Sequence, residues 1–354
     1  MLRTSSRRRI VRAAVVAPVA LLAIACTSKA TVASDPKSNG PTTTAPQVKL
    51  TNVPAGTVLR VGDQLDYLKT VLKLAGQDKD FPYKLEYSAF IGGPPMLQAF
   101  QADAIDTGFV GSTPLIFAQA GNQKLTAVAD WASENGAYAL VTAAGGKGIS
   151  KWGDLKGHSV AFQQGTAGEA VLLEALDAAG LTLKDVTPVN LPQTQVNSAL
   201  ESGSADAAIQ TEPLTSAYLL SNPTAKQAGT TKLITDRSSF IIASQATLAD
   251  KAKSAALADY VNRIVKSFAF LKTHQDLITN SVYVAQYHLT PERAAEVVKA
   301  MGPTSFVPLP GDIVKAQQHL ADLFEENNEI PAKVDVSSEF DPRFNALIRA
   351  AQGS

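Results

Sequence analysis

Cysteine is nearly absent: Cys26 is the single one in 354 residues, which excludes an intramolecular disulfide and leaves the fold to rest on its packed core. Neither sign of charge is in excess, since Lys plus Arg and Asp plus Glu number 32 each. That balance removes the electrostatic argument for nucleic acid or an anionic membrane surface as the partner. Histidine is scarce too, and His158, His274, His288 and His319 are scattered without metal-ligand spacing or a repeated acidic neighbour. No metal and no cofactor is expected. Gly145-Gly146-Lys147-Gly148 lacks the earlier glycine and the Ser or Thr after lysine that a phosphate loop requires. No stretch is long and apolar enough to span a bilayer. What is present is a hydrophobic fraction of 45%, enough for a substantial core and, by length, about two domains of ~150 residues.

The first residues have the layout of an export signal: Arg3, Arg7, Arg8, Arg9 and Arg12 precede an uncharged run over 13–25, and small residues lead to Cys26. Leu22-Ala23-Ile24-Ala25-Cys26 resembles a bacterial lipobox, with Ala23 where leucine is commoner. The resemblance implies that residues 1–26 form a signal ending at a cysteine that takes a diacylglycerol and becomes the mature N-terminus. Ser6-Arg7-Arg8-Arg9 also resembles a twin-arginine signal, and the route of export stays open. Residues 27–56 are dominated by Ser, Thr, Pro, Ala, Gly and Asn, the composition of a disordered tether.

From residue 57 the chain alternates strand and helix. Thr57-Val58-Leu59-Arg60-Val61-Gly62 is a short β-rich run, and Tyr67, Leu68, Val71, Leu72 and Leu74 follow at helical spacing. Residues 83–89 alternate apolar and polar as a strand does, and Met96, Leu97 and Phe100 mark a second helix. Residues 106–110 and 114–119 repeat the pair, and 125–131 and 138–142 read as further strands. A second set follows the 145–148 loop, with strands at 159–162, 186–191 and 205–209 and helices at 169–179, 196–202 and 214–220. One more strand is expected at 239–244, and then long helices at 255–273, 291–301 and 312–327. This grammar predicts an α/β fold with largely parallel sheets.

Over residues 58–342 the chain resembles the substrate-binding proteins of the aliphatic sulfonate, taurine and nitrate group of ABC importers. Gly92-Gly93-Pro94-Pro95-Met96-Leu97-Gln98-Ala99 and Gly108-Phe109-Val110-Gly111-Ser112-Thr113-Pro114-Leu115 carry the resemblance. Asp154-Leu155-Lys156-Gly157, Gln164-Gly165-Thr166 and Gly203-Ser204-Ala205-Asp206 follow in the same order. The resemblance implies a two-lobed periplasmic-binding-protein type II clamshell with two crossing strands and a ligand held between the lobes. Lobe 1 is then expected over 57–142 plus 240–350 and lobe 2 over 143–239. Sulfonate members often carry Trp-Asp-Pro where this chain has Thr211-Glu212-Pro213, which leaves the ligand open among sulfonate, taurine, nitrate and small heterocycles.

Four strand-to-helix junctions share one design, Gly93-Pro94-Pro95, Ser112-Thr113-Pro114, Gly165-Thr166 and Glu212-Pro213. Each sets a small or capping residue before a helix, and proline at the first turn loses nothing by lacking an N–H. Thr166 with Glu169 fits the spacing of a capping box. Free N–H groups at such tips, backed by the helix dipole, hold anions without any lysine or arginine. The expected ligand-binding residues are therefore Gln64, Gly93, Ser112, Thr113, Gln164, Gly165, Thr166, Glu212 and Phe240, with Phe90 a further apolar contact. Glu212 would repel an anion unless the ligand also carries a cation, which points to a zwitterion such as an aminosulfonate.

Relatives of the resembled group include a sulfinate-cleaving hydrolase with a cysteine nucleophile and thiamin-pyrimidine synthases that use histidine. Here the only cysteine lies in the signal, so no enzyme is expected. The expectation is a monomer outside the cytoplasm, anchored to the membrane by lipid on Cys26, that binds a small anion or zwitterion and meets ABC permease subunits. A ligand-sensing lipoprotein on the same fold is the alternative.

Overall fold

The computed structural model describes residues 46–230 and 237–353, so the expected signal, Cys26 and most of the expected tether lie outside the described residues. Among those described, no helix is long and apolar enough to cross a membrane.

The chain builds two sheets. The first has the order β11-β4-β10-β3-β1-β2, from β1 (Val58–Gln64), β2 (Lys84–Phe90), β3 (Thr107–Gly111), β4 (Leu125–Ser133), β10 (Ser238–Ser244) and β11 (Thr304–Val307). β1 pairs parallel with β2 and β3, while β10 runs antiparallel between β3 and β4. The second has the order β7-β6-β8-β5-β9, from β5 (Ala139–Thr142), β6 (Ser159–Phe162), β7 (Thr187–Asn190), β8 (Ala207–Gln210) and β9 (Gln227–Thr230). Here β6 pairs parallel with β7 and β8, and β5 lies antiparallel to β8 and β9. The chain therefore changes sheets between β4 and β5 and returns between β9 and β10. Residues 139–142, expected at the end of the first lobe, pair within the second sheet.

Helices α1 (Tyr67–Leu74), α2 (Gly93–Gln101) and α3 (Ser112–Ala120) link the parallel strands of the first sheet. In the second sheet α4 (Ala167–Ala178), α5 (Gln193–Ser202) and α6 (Leu214–Ser221) do the same. After β10 come α7 (Lys251–Leu271), α8 (Pro291–Met301), α9 (Asp312–Glu326) and α10 (Asn345–Gln352). Strand alternation sorts the core. Ile241 and Ala243 of β10 face α1, α7 and α10, whereas Phe240 and Ile242 face α2, α3 and α9. In the second sheet Leu140, Val160 and Phe162 pack on α4, and Val141, Ala161 and Ala208 pack on α5 and α6.

Polar ties fix the ends of these elements. Asp250 accepts from the N–H groups of Ala252 and Lys253 and so starts α7 four residues earlier than its apolar pattern predicts. Asp106, buried where β3 begins, takes Arg60 Nη2 at 2.6 Å and Lys253 Nζ at 2.8 Å, which joins β1, β3 and α7. Burial works against that carboxylate, yet the hydrogen bonds from Arg60 and Lys253 outweigh it and hold the group below the ordinary carboxylate range.

Candidate ligand-binding cleft

The carboxyl ends of the parallel strands of both sheets meet at one cavity of about 330 Å³. That is where open α/β sheets place ligands. First-turn residues of five helices take part in its lining: Gly93 of α2, Pro114 of α3, Ala167 of α4, Gln193 of α5 and Leu214 of α6. Four of these tips were legible as junctions of small or capping residues, three of them with proline; the fifth, after Pro192, was not.

The tips of the two halves approach closely. A Cβ added to Gly111 would lie 3.1 Å from the Ala167 Cβ, and one on Gly165, whose φ of +73° already favours glycine, 3.5 Å from Pro94 Cγ. Within the first half, a Cβ on Gly93 would fall 2.4 Å from Pro114 Cγ, so only glycine lets α2 and α3 start side by side.

Of the expected residues, Gln64, Gly93, Thr166 and Glu212 line the cavity. Gln64 donates from Nε2 to the Phe109 carbonyl at 2.8 Å, a strut between β1 and β3. Ser112 and Thr113 are fully buried in the first turn of α3, between the lining residues Gly111 and Pro114. Neither hydroxyl has a hydrogen-bond partner, and the Ser112 carbonyl accepts from Gln317 Nε2 at 2.8 Å.

The structure sets five expected residues apart from the cavity lining: Ser112 and Thr113, buried behind the α3 tip, and Phe240, Gln164 and Gly165. Phe240 is fully buried and packs edge-on against Phe340, with ring centroids 5.6 Å apart. Ser238 and Ser239 at the start of β10 line the cavity, and Phe240 packs beyond them in the core with Ile242. Gln164 is held on both sides, accepting at Oε1 from Asn190 and donating from Nε2 to Glu329. Gly165 gives its N–H to Glu169 Oε2 at 2.7 Å. The expected capping box is thereby displaced by one residue: Glu169 reaches Gly165 rather than Thr166, and the Thr166 hydroxyl donates to the Gln163 carbonyl at 2.7 Å. Desolvation raises the Glu169 carboxyl to about 8, and the Gly165 N–H only partly opposes it.

Glu212 has partners of its own. Oε2 accepts from the Ser216 N–H at 3.1 Å, closing the first turn of α6, and Oε1 meets Arg293 Nη2 at 3.0 Å. The carboxylate on the wall is thus balanced from within the protein, and an ammonium on the ligand is not needed to offset it. Apart from Glu212, no lining residue among those described carries a formal charge at neutral pH.

Aromatic rings form much of the apolar wall. Phe109 and Trp131 lie 5.3 Å apart and Tyr67 continues the row 6.2 Å from Phe109. Tyr283 and Tyr287, an edge-on pair at 5.6 Å, close the far side. Tyr283 stands within and Tyr287 just beyond a π-helix, Thr279–Gln286, where the sequence predicts no helix. Burial, assisted by the charge of Glu212, raises the Tyr283 hydroxyl to about 12, so it stays a donor. Their i,i+4 spacing was the available signal. Among the described residues no group of three or more His, Cys, Asp or Glu could hold a metal.

Residues 93–274 match the sequence profile of the NMT1/THI5-like family. The chain belongs to this family. A protein of Escherichia coli (strain K12) named for aliphatic sulfonate binding is 30% identical over 288 residues, covering 78% of this chain and 86% of that one. The alkanesulfonate-binding protein SsuA from Xanthomonas axonopodis pv. citri, solved with MOPS bound, superposes with a TM-score of 0.71 at 26% identity, over 82% of this chain and 99% of that one. The desulfurization enzyme DszB shares the fold alone, at 14% identity and a TM-score of 0.55 over 83% of this chain and 99% of that one. The two-sheet α/β architecture of the family chain is the periplasmic-binding-protein fold.

Proposed function

We propose that this chain is a solute-binding protein that captures a small organic anion, an aliphatic sulfonate or a taurine-like aminosulfonate, and hands it to an ABC permease. The two sheets with their helices are the two lobes, and the ligand lies between them. The observation that carries the reading is the convergence of five helix N-termini on one aromatic-walled cavity whose described lining holds no lysine or arginine. Dipoles and N–H groups suit a single negative head, and the aromatic wall suits a short apolar tail. The identity with the Escherichia coli relative supports the same class of ligand.

The magnitudes suffice. Micromolar affinity is about 8 kcal/mol, and hydrogen bonds to a charged group contribute roughly 1.5 to 3 kcal/mol each. Three or four aligned donors plus apolar contact reach that sum. With binding relatives on one side and no cysteine in the described lining of the cleft on the other, the reading is of a carrier and not of an enzyme.

The location proposed is outside the cytoplasm, with residues 1–26 as signal, Cys26 as the lipidated N-terminus and the following segment as tether to the membrane. A monomer fits the use of one cleft per chain. Mass spectrometry of the mature N-terminus tests the anchor: an unmodified Cys26, or cleavage elsewhere, removes it. For the ligand, a thermal-shift screen of the purified full chain against ethanesulfonate, taurine, MOPS and nitrate is decisive, because selective binding raises the melting temperature by mass action. Sulfonates raising it and nitrate leaving it unchanged is the expected outcome; the reverse order discards the sulfonate assignment.

A further inference from the structure

Beside the crossing from β4 to β5, one side chain that does not itself line the cleft also ties its two halves. Arg293 is the third residue of α8, and Thr290 caps that helix by accepting the Arg293 N–H at 3.2 Å. α8 belongs to the first half, packing through Ala294 and Val297 on Val282 and Tyr283, with Tyr67 of α1 beside them. From there the guanidinium reaches the second half. Nε donates to Ser216 Oγ at 2.7 Å and Nη2 to Glu212 Oε1 at 3.0 Å, while Nη1 meets Glu296 on its own helix at 3.3 Å. Glu212 is also the charged group on the cleft wall, and its side chain is only 12% exposed. Behind it a second cavity of about 180 Å³ includes Arg293 and shares Ala137, Tyr138, Glu212 and Met301 with the cleft.

One residue therefore does two things to the cleft, through Glu212. It joins the second half to the first, and it cancels a negative charge that would face an anionic ligand. A half-buried carboxylate left without its cation seeks another, and an ammonium on the ligand is the nearest substitute.

We propose that Arg293 is a positioning and specificity-determining residue: by holding Glu212 and Ser216 it fastens the closed cleft and makes it select sulfonates that carry no amine over those that do. The selectivity rests on the sulfonate reading above; the fastening does not. With Arg293 in place Glu212 is satisfied, and an amine gains nothing by entering. With Arg293 gone the carboxylate repels ethanesulfonate and attracts the ammonium of taurine.

Calorimetry with ethanesulfonate and taurine on the full chain measures the ratio of the two dissociation constants. In Arg293→Ala that ratio is expected to move by about tenfold toward taurine, the size of one charge-assisted hydrogen bond. Adding Glu212→Gln should cancel the shift, and Arg293→Lys, which keeps the cation, should stay near the wild type. A merely structural role would weaken both ligands alike, so an unchanged ratio in folded Arg293→Ala overturns the selectivity. Small-angle scattering of the ligand-free chain reads the fastening separately: Arg293→Ala is expected to have the larger radius of gyration, and an equal radius overturns it. Should Arg293→Ala not fold, Arg293→Met with Glu212→Gln takes its place in scattering, with the same two outcomes, and Arg293→Lys carries the ratio, where a shift as large as tenfold counts against charge balance. If the wild type binds neither ligand, the sulfonate reading fails while scattering still decides the fastening.

Discussion

The two halves touch along two seams of opposite chemistry. On one, Ala170 and Leu173 of α4 are buried with Ile116 of α3 and Leu320 and Phe324 of α9, and the Phe117 and Phe324 rings meet edge-on at 5.1 Å. On the other, Arg293 meets Glu212 and Ser216. Apolar area costs about 25 cal/mol per Å² to re-expose, whereas water can replace most of what a part-exposed ion pair loses. The first seam rests on apolar burial, and the second on an ion pair beside the crossing from β4 to β5.

Substitutions can break this contrast. The largest effect belongs to the apolar seam: Leu173→Ala, at a site 3% exposed, is expected to lower the unfolding free energy by about 2–5 kcal/mol in urea titrations. A loss near zero would mean that the seam is not a structural contact. Next comes Gly93→Ala, whose Cβ would fall 2.4 Å from Pro114 Cγ and push the α2 and α3 tips apart. Overpacking of this kind costs about 1–3 kcal/mol, and the same variant should weaken sulfonate binding in calorimetry.

A third test uses the carboxyl buried at the apolar seam. The Glu169 carboxyl is raised to about 8 by desolvation, so the folded state holds the proton more tightly than the unfolded chain. Its stabilising contribution is full below the ordinary glutamate range and is lost as pH rises toward 8. Glu339, also raised to about 8 by burial, acts in the same direction. Urea midpoints should fall between pH 5 and pH 9, and Glu169→Gln should flatten that fall; an unaltered slope would remove Glu169 as its cause. The smallest effect is expected at the exposed contact of Gln164 with Glu329, where Gln164→Ala should cost about 0.5 kcal/mol.

How far the sequence led follows the same contrast. The βαβ succession and four of the helix tips were legible because apolar alternation, capping residues and prolines at helix starts are local signals. Glu212 was legible as a charge at the site, but its partner was not: in Pro291-Glu292-Arg293-Ala294-Ala295-Glu296 the arginine reads as a solvated helix face. Phe240 was misplaced because the cleft-lining part of β10 ends at Ser238 and Ser239 and Phe240 enters the core. Gly165 was expected to offer its N–H outward, and Glu169, four residues on, accepts it instead. The short strands β9 and β11 escaped because four residues at a sheet edge carry too little alternation to stand out. Tyr283 and Tyr287 escaped because a π-helix has its own period and leaves the usual helical stripe.

A cleft whose described lining lacks lysine and arginine has a consequence for the medium in which it works. Fixed dipoles act at contact distance, well inside the ~8 Å over which ions at 0.15 M damp a field. The grip on an anion would then change little between dilute and briny surroundings. Removal of residues 1–26 as a signal would take five arginines with it and leave 27 basic against 32 acidic residues, so the surface would exert no long-range pull on an anion.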